Sequence, residues 1–326
     1  MPGSRRMGQQ SLTGTKPRAL VVVLGALGDF ILALPLIQAL SQSAQLLLAT
    51  RGGYRALLPP DPPIGEFFDT DGPFGAALFT SGGRLTPWTG KLLHGAQVHL
   101  LMRSDDVVRD NLSTEGVSNI VWHNPRPAAP PHVARQHMER AGFSCPESFD
   151  CAPVMPMPGN GNQLWIHPGS GSPSKNASPD FFAEFAKEWR ARDGGRITLS
   201  FGEADLKLHG MVKRVFEKHG VPHEEIVCPS LGELREALAN RAALYLGNDS
   251  GVSHLAAALG VPTIACFLHA NADIWRPVGR VLVLPAPGVE QARSPQLWQR
   301  IDRLRKAGCP SRIANYAPIA SVPRCT

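Results

Sequence analysis

The segment VVLGALGDFILALPL, residues 22–36, sets a single carboxylate, Asp29, into a long apolar run. The segment 19–40 is long and apolar enough to be considered as a transmembrane helix. A charge at the centre of such a helix costs about 2.5–3.5 kcal/mol on insertion scales. Gly25 and Gly28 also divide the run into a short β-branched piece and a Leu/Ala-rich piece. We therefore interpret it as a buried strand, a glycine turn and a helix that carries Asp29 in its first turn.

The length and charge of the chain restrict the class of protein. It has 326 residues, of which 43% are hydrophobic and 18% charged, so we expect two domains, each with its own core. The formal charge of +6 favours an acidic partner. Aromatic residues make up 7%, and no basic run is interleaved with them, which argues against nucleic acid and for small acidic substrates. Six cysteines without a C-x-x-C pair are typical of reduced, cytosolic thiols.

Short strand and helix patterns alternate along the chain and restart after a linker. The linker, residues 151–162, is rich in Pro and Gly and carries no Lys, Arg or Glu, whereas residues 52–90 allow no clear assignment. The alternation predicts an α/β fold of two Rossmann-like parallel-sheet domains that face a central cleft. We expect a disordered leader at 1–18, a first domain at 19–155, and a second domain at 156–326 whose last segment packs back on the first.

Ligands bind such sheets at the carboxyl ends of the strands. Three loops of this kind carry polar residues, and the first holds Asp29, which is either a reactive acid or an acid that stabilises the helix dipole. The second, HPGSGSPSKNASPD (167–180), combines small hydroxyl residues with one lysine, Lys175, so that it is either a phosphate cradle or a surface loop. The third, YLGNDSGVSHLAAALGVP (245–262), would direct Asp249 and its neighbours into the cleft.

Two rival patterns are weaker. Asp69-Thr70-Asp71 has the form of a metal-binding D-x-D, but Gly72 and Pro73 follow it, and we interpret it as a turn. The order G-N-D-S-G around Ser250 is not the G-x-S-x-G of a nucleophile elbow, which disfavours a hydrolase. We predict neither a metal nor a cofactor.

Together these motifs resemble glycosyltransferase family 9, the ADP-heptose:lipopolysaccharide heptosyltransferases. The Asp-Ser-Gly-x-x-His block and the Gly-Asp-x-x-x-x-x-Pro block are the most specific parts of a resemblance that covers about residues 19 to 280. The matching segments are LGALGDFILALPLIQAL, HPGSGSPSK, FGEAD, NDSGVSHLAAALGVPTIACF and WRP. The resemblance implies the GT-B fold, with the nucleotide-sugar donor in the C-terminal domain and the acceptor in the N-terminal domain.

The resemblance also implies roles for individual residues. Asp29 is expected to be the general base that takes the proton of the acceptor hydroxyl. The residues expected to bind the donor are Ser170, Gly171, Ser172, Lys175, Glu203, Asp249, Ser250, Gly251 and His254. Charge alone suggests Arg51 and Arg55 for an acidic acceptor.

The chain departs from the family pattern in three places. KNASP stands where the family often has Lys-x-Trp-Pro, LHAN (268–271) replaces Gly-Pro-Thr, and a basic residue common on the first strand is missing at Val23 or Leu24. The altered lysine segment and LHAN leave open an inactive nucleotide-binding paralogue. A sugar-nucleotide epimerase on the same fold is a further alternative.

Our main prediction is an inverting, metal-independent glycosyltransferase. It would move a sugar, expected to be heptose, from a nucleotide-sugar, expected to be an ADP-sugar, to a lipopolysaccharide-core or similar envelope glycan. Direct attack on the anomeric carbon needs one base opposite the leaving group, and helix amides with an ammonium can stabilise the diphosphate. The expected partners are this donor and an anionic glycolipid, in the cytoplasm with peripheral contact to the inner membrane.

Overall fold

The first domain is built around a five-stranded parallel sheet. The computed structural model describes residues 16–58, 64–157 and 159–307. The sheet order is β3-β2-β1-β4-β5, and every neighbouring pair is parallel. Its strands are β1 (Arg18–Val23), β2 (Gln45–Thr50), β3 (Glu66–Asp69), β4 (Gln97–Leu101) and β5 (Asn119–Trp122), and its helices are α1 (Leu27–Ser43), α2 (Pro73–Phe79), α3 (Pro87–Leu93), α4 (Asp106–Thr114) and α5 (Val133–Arg140).

The second domain repeats the design with six parallel strands in the order β11-β10-β9-β6-β7-β8. The strands are β6 (Gln163–His167), β7 (Ile197–Phe201), β8 (Glu224–Val227), β9 (Ala242–Asn248), β10 (Thr263–Phe267) and β11 (Val281–Pro285). The helices are α6 (Pro179–Asp193), α7 (Leu206–Lys218), α8 (Leu231–Arg241), α9 (Gly251–Ala258), α10 (Ala272–Trp275) and α11 (Pro295–Lys306). The predicted pair of parallel α/β sheets is therefore confirmed.

The strand orders locate two crevices. In each sheet the chain starts in the middle, builds outward on one side, and then crosses to the other side of the starting strand. The crossing falls between β1 and β4 in the first sheet, and between β6 and β9 in the second. Ligands of open α/β sheets bind beside such a switch point, at the carboxyl ends of the strands. The loops that follow these four strands are therefore the places to look for a site.

The apolar run of the sequence becomes β1 and α1, both in the core. Residues 30–41 of α1 are buried without a break, which is typical of a helix packed on all sides. In the part of the chain that the structure describes, no helix combines the length and apolarity needed to cross a bilayer. Packing against protein on every face thus accounts for the hydrophobicity of this segment.

One hydrophobic cluster joins the two domains across α1. It contains Ile31 and Leu34 of α1 together with Leu255 and Ala258 of α9. The segment after α5 adds polar contacts, since the buried Gln38 side chain donates from Nε2 to the Val154 carbonyl at 2.7 Å. Buried apolar surface and this paired amide hold α1 beside the second domain.

The region 52–90, for which the sequence allowed no clear assignment, contains β3, α2 and α3. Strand β11 and helix α10 were not predicted either. Pro and Gly obscured these elements because Pro73 and Pro87 begin helices instead of breaking them. The charged helix predicted at the end of the chain is α11, which packs on the core of the second domain through Leu297, Trp298 and Ile301. Residues 308–326, the rest of the segment expected to return to the first domain, lie outside the described residues, as do residues 1–15 of the expected leader.

Candidate active site

Two neighbouring cavities meet at Asp29. The first, about 280 Å³, lies at the switch point of the first sheet and is lined by residues that follow β1 and β4. The second, about 590 Å³, lies between the first turn of α1 and the loops after β6 and β9. Four residues line both cavities: Asp29, Leu32, Arg126 and Trp275. Asp29 therefore stands where a group bound in one cavity meets a group bound in the other.

The carboxylate of Asp29 is oriented by its own turn. Its Oδ2 atom accepts a hydrogen bond from the backbone N–H of Ala26 at 2.9 Å, which fixes the side chain at the start of α1. A Cβ atom on Gly25 would lie 2.3 Å from Cβ of Asp29. A glycine is therefore required at position 25 for this approach.

Glycines also let the first turns of α1 and α9 meet across the domain boundary. A Cβ atom on Gly28 would lie 3.1 Å from Cδ2 of His254, and one on Gly251 would lie 2.7 Å from Cβ of Leu27. Any larger residue at position 251 would push the two helices apart. This close contact carries Asp29 of the first domain to the edge of the cavity in the second.

The loop after β6 supplies the lysine that was predicted to bind the donor. The Nζ atom of Lys175 lies 2.7 Å from Oδ2 of Asp249. The Lys175 side chain is 40% exposed and that of Asp249 10%. Both residues line the second cavity, together with Gly171 and Ser172. The structure thus brings together residues that are 74 positions apart in the sequence.

A buried amide that sequence reasoning missed holds this arrangement. Asn248, which is fully buried, donates from Nδ2 to the Pro168 carbonyl at 2.8 Å and accepts from the Ala177 N–H at 2.9 Å. It therefore ties the end of β9 to both ends of the loop from Pro168 to Ala177, which carries Lys175 and is called the lysine loop below. Ser170 lies within that loop, where its hydroxyl donates to the Ser172 carbonyl at 2.7 Å. The available signal was the position of Asn248, directly before Asp249 at the end of a strand.

Ser250 and His254 line the second cavity from α9. Ser250 caps the helix by accepting the N–H of Ser253 at 3.4 Å. His254 is 4% exposed, and burial lowers its pKa to about 4, so the ring is neutral at neutral pH. Its Nδ1 atom is buried and has no hydrogen-bond partner among the described residues. The imidazole can therefore offer a hydrogen bond to a ligand without carrying charge.

Four of the predicted site residues line neither cavity: Ser170, Glu203, Arg51 and Arg55. Glu203 is exposed, at the start of the turn that precedes α7. Arg51 is exposed beside Tyr54, and the guanidinium of Arg55 lies 5.5 Å from the ring centre of Phe67. Their assignment to donor and acceptor stays a prediction.

The first cavity has two other arginines instead. Arg103 follows β4, Arg126 follows β5, and both are exposed. Arg103 was within reach of sequence analysis, since it is a basic residue just beyond the carboxyl end of a predicted strand.

One histidine, His137, lines the first cavity and leads to two more behind it, and no pattern in the sequence singles them out. His137 lines the cavity and packs edge-on against His123, with ring centres 5.3 Å apart. Nε2 of His123 in turn lies 3.0 Å from Nδ1 of His99. Burial lowers the pKa of His137 to about 4 and that of His123 to about 2. These two imidazoles are therefore uncharged at neutral pH.

Asp69 and Asp71, the two acids of the D-x-D pattern, are part of a turn. Asp69 accepts the N–H groups of Gly52 and Asp71 through Oδ1, each at 3.0 Å. These contacts agree with the turn predicted at Asp69-Thr70-Asp71. Across residues 16–58, 64–157 and 159–307, no group of three or more His, Cys, Asp or Glu side chains is placed to hold a metal ion.

Comparison with known proteins finds one family and several solved structures that are similar to this chain. Residues 144–286 match the model of glycosyltransferase family 9 (heptosyltransferase). The solved glycosyl transferase family 9 protein of Veillonella parvula superposes with a TM-score of 0.65 at 17% identity, over 90% of each chain. No curated protein matches the chain.

Two E. coli structures are also similar. Heptosyltransferase WaaC with ADP has a TM-score of 0.61 at 19% identity, covering 88% of this chain and 99% of its own. ADP-heptose lps heptosyltransferase II has a TM-score of 0.61 at 16% identity, covering 88% and 98%. At these identities the likeness establishes the fold, which is the GT-B arrangement expected from the sequence.

Proposed function

We propose that the chain transfers a sugar from a nucleotide-sugar in the second cavity to a hydroxyl group in the first, because residues 144–286 match the model of glycosyltransferase family 9 (heptosyltransferase). The observation that carries the proposal is the position of Asp29, which lines both cavities. A base for this reaction must reach the acceptor hydroxyl while that hydroxyl faces the anomeric carbon. Among the described residues, Asp249 is the one other acidic side chain that lines either cavity, and it is paired with Lys175.

The proposed reaction proceeds by direct displacement. The acceptor oxygen forms a bond to the anomeric carbon, and the bond from that carbon to the diphosphate oxygen breaks. The nucleoside diphosphate leaves with the electron pair, and the proton of the hydroxyl passes to Asp29. Because attack comes from the side opposite the leaving group, the anomeric configuration inverts.

Stabilisation of the leaving diphosphate is assigned to Lys175 and to the first turn of α9. Lys175 lines the cavity and its side chain is 40% exposed, so its ammonium can reach a phosphate without leaving Asp249. The backbone N–H groups at the start of α9 add a favourable dipole. Together these groups supply the positive charge that the reaction needs, in accordance with a metal-independent mechanism.

The donor is proposed to be an ADP-sugar with heptose as the transferred unit. Similar structures are described as WaaC with ADP and with ADP-2-deoxy-2-fluoro heptose. The acceptor is proposed to be an anionic glycolipid of the cell envelope, and the net charge of +6 favours peripheral contact with an anionic inner membrane.

Calorimetric titration with ADP, and with UDP and GDP as controls, tests the donor assignment in the presence of EDTA. We expect selective ADP binding. Release of ADP from ADP-heptose, measured with a truncated lipopolysaccharide as acceptor, tests the transfer, and Asp29→Asn should abolish acceptor-dependent release while ADP still binds. ADP binding without transfer to any acceptor would identify the inactive paralogue, and an altered ADP-sugar without acceptor would identify the epimerase.

A further inference from the structure

We infer that the outer side of α2 and α3 is the surface by which the chain lies on an anionic lipid bilayer. This surface, called the α2–α3 face below, consists of Phe79, Arg84, Trp88 and Lys91. The inference rests on the proposed function, in which the acceptor is a glycolipid, and it names the part of the first domain that meets the membrane. None of the four residues lines either cavity.

Two aromatic side chains give the face its apolar surface. Trp88 is 54% exposed and Phe79 is 37% exposed, and no other large hydrophobic side chain among the described residues of the first domain is as exposed as these. Of the six tryptophans of the chain, Trp88 alone is exposed. An indole suits a membrane surface because it combines a large apolar ring with a polar N–H. Exposed apolar residues that are grouped in this way mark an interaction site.

The fold of α3 turns Trp88 outward. The helix is capped by Thr86, which accepts the Thr89 N–H at 3.2 Å, and its buried side is formed by Thr89, Gly90 and Leu93. Trp88 therefore lies on the opposite side, with its ring centre 6.4 Å from that of Phe68 on β3. The indole has one aromatic neighbour below it and solvent above it.

The end of α2, which carries Phe79, is fixed by a buried amide. Asn111 of α4 is 7% exposed, and its Nδ2 donates to the Leu78 carbonyl at 3.0 Å and to the Thr80 carbonyl at 2.8 Å. These two carbonyls flank Phe79 in the chain. The backbone at Phe79 is therefore held in place, and the exposure of this ring belongs to an ordered part of the structure.

The charge of the face selects an anionic surface. Residues 73–94 contain Arg84 and Lys91 and no Asp or Glu, and both basic side chains are exposed. Lys91 follows Trp88 by three residues, which places the two on the same side of α3. An anionic bilayer strengthens binding about fivefold for each basic group near its surface. Aromatic and basic groups on one side therefore fit a bilayer that contains anionic lipid.

Two further charged residues border the face. The guanidinium of Arg18 donates to the Lys91 carbonyl at 2.8 Å, so a third positive charge lies at the end of α3. One acid, Glu115, lies beside Gly90, on the buried side of the helix. The positive charges thus outnumber the acid, which stands on the side turned away from solvent.

The face lies close to the edge of the sheet at which the first cavity is found. Phe68, the aromatic neighbour of Trp88, is the last but one residue of β3 and so lies near the carboxyl end of that strand. In the sheet order β3 is two strands away from β1, a distance of about 10 Å at the usual strand spacing. A bilayer against the α2–α3 face would therefore present its glycolipids beside the first cavity.

The test is binding of the full chain to lipid vesicles without ADP, donor or glycolipid. The vesicles are phosphatidylcholine alone and an equimolar mixture of phosphatidylcholine and phosphatidylglycerol, and co-sedimentation measures the affinity. We expect binding to the anionic vesicles only, weakened by salt. Trp88→Ser should weaken it about tenfold, and the double variant R84Q/K91Q about tenfold to thirtyfold. Brominated acyl chains should quench the fluorescence of the wild type, and Trp88→Phe should lose that quenching.

The exposed side of α7 in the second domain provides matched controls. It carries Met211, which is 42% exposed, and the exposed residues Lys213 and Arg214. Met211→Ser and K213Q/R214Q remove groups of the same kind and should leave vesicle binding unchanged. Melting temperatures equal to that of the wild type show that the variants are folded.

Four results would overturn the inference. They are no binding of the wild type to anionic vesicles, equal binding to both kinds of vesicle, wild-type binding by Trp88→Ser or R84Q/K91Q, and an equal loss in the α7 controls, which would indicate net charge alone. A change of oligomeric state in Trp88→Ser without vesicle binding by the wild type would assign the face to a second copy of the chain. Absence of ADP binding or of sugar transfer is a separate result that counts against the proposed function.

Discussion

The Nζ atom of Lys175 lies 2.7 Å from Oδ2 of Asp249, so the ammonium assigned to the donor diphosphate is already paired and oriented before a ligand arrives. We expect Lys175→Met to weaken ADP binding about tenfold to hundredfold, the cost of losing a charged hydrogen bond. The ADP affinity of the wild type should also fall as salt is raised, because the lysine is 40% exposed.

Lys91→Met is the matched control for this measurement, because Lys91 is an exposed lysine on α3 of the first domain. Titration calorimetry of both variants at two salt concentrations gives the comparison. An unchanged ADP affinity in Lys175→Met would remove this residue from the donor site.

A methyl group at position 25 should misplace the base. In Gly25→Ala the new Cβ would lie 2.3 Å from Cβ of Asp29, so the carboxylate must move. We expect transfer to fall about tenfold to hundredfold, since small displacements of a reacting group have effects of this size, while ADP affinity stays the same. Gly53→Ala is the control, because its Cβ would meet no atom within 4 Å. Equal transfer rates in the two variants would show that the turn tolerates a side chain.

Loss of the buried Asn248 amide should disturb the lysine loop at a distance from the ligand. Asn248→Ala leaves the Pro168 carbonyl and the Ala177 N–H without partners, at a cost of about 1–3 kcal/mol for each unsatisfied group. We expect a lower melting temperature together with weaker ADP binding. Asn240→Ala, an exposed asparagine on α8, provides the reference in both assays. A normal melting temperature in Asn248→Ala would contradict the supporting role of the amide.

Lowering the pH should destabilise the protein already at pH values above those at which carboxylates titrate. Burial lowers the pKa of His99, His137 and His254 to about 4, whereas an unfolded histidine titrates near 6.5. Between pH 6.5 and 4 the unfolded chain therefore binds more protons than the folded one, and the free energy of unfolding falls as pH falls. Each such histidine contributes a slope of up to about 1.4 kcal/mol per pH unit.

Urea unfolding at several pH values between 4 and 7 measures this slope. His99→Phe should reduce this slope by up to about 1.4 kcal/mol per pH unit, because one buried imidazole is removed. A midpoint that does not change over this range would show that the imidazoles are more accessible to water than the structure indicates.

Several local elements of the structure were predictable from the sequence. The β-branched piece before Gly25 and the Leu/Ala-rich piece after Gly28 predicted β1, α1 and the place of Asp29 at the start of the helix. The small polar residues around Asp249 predicted the start of α9, which Ser250 caps. These features were predictable because strands, turns and helix caps depend on residues that are close together in the sequence.

The partners of these residues were decided by the tertiary structure. That Lys175 pairs with Asp249, that Asn248 anchors the lysine loop, and that Trp275 lines the first cavity all depend on how separate strands and the two domains pack. That Arg103 and Arg126 line the first cavity, whereas Arg51 and Arg55 do not, has the same origin, since charge alone does not tell which loops a switch point brings together. Local sequence determined where each polar side chain stands along its own element, and only packing between distant elements determined which of them share a site, because that choice depends on contacts which no short stretch of sequence contains.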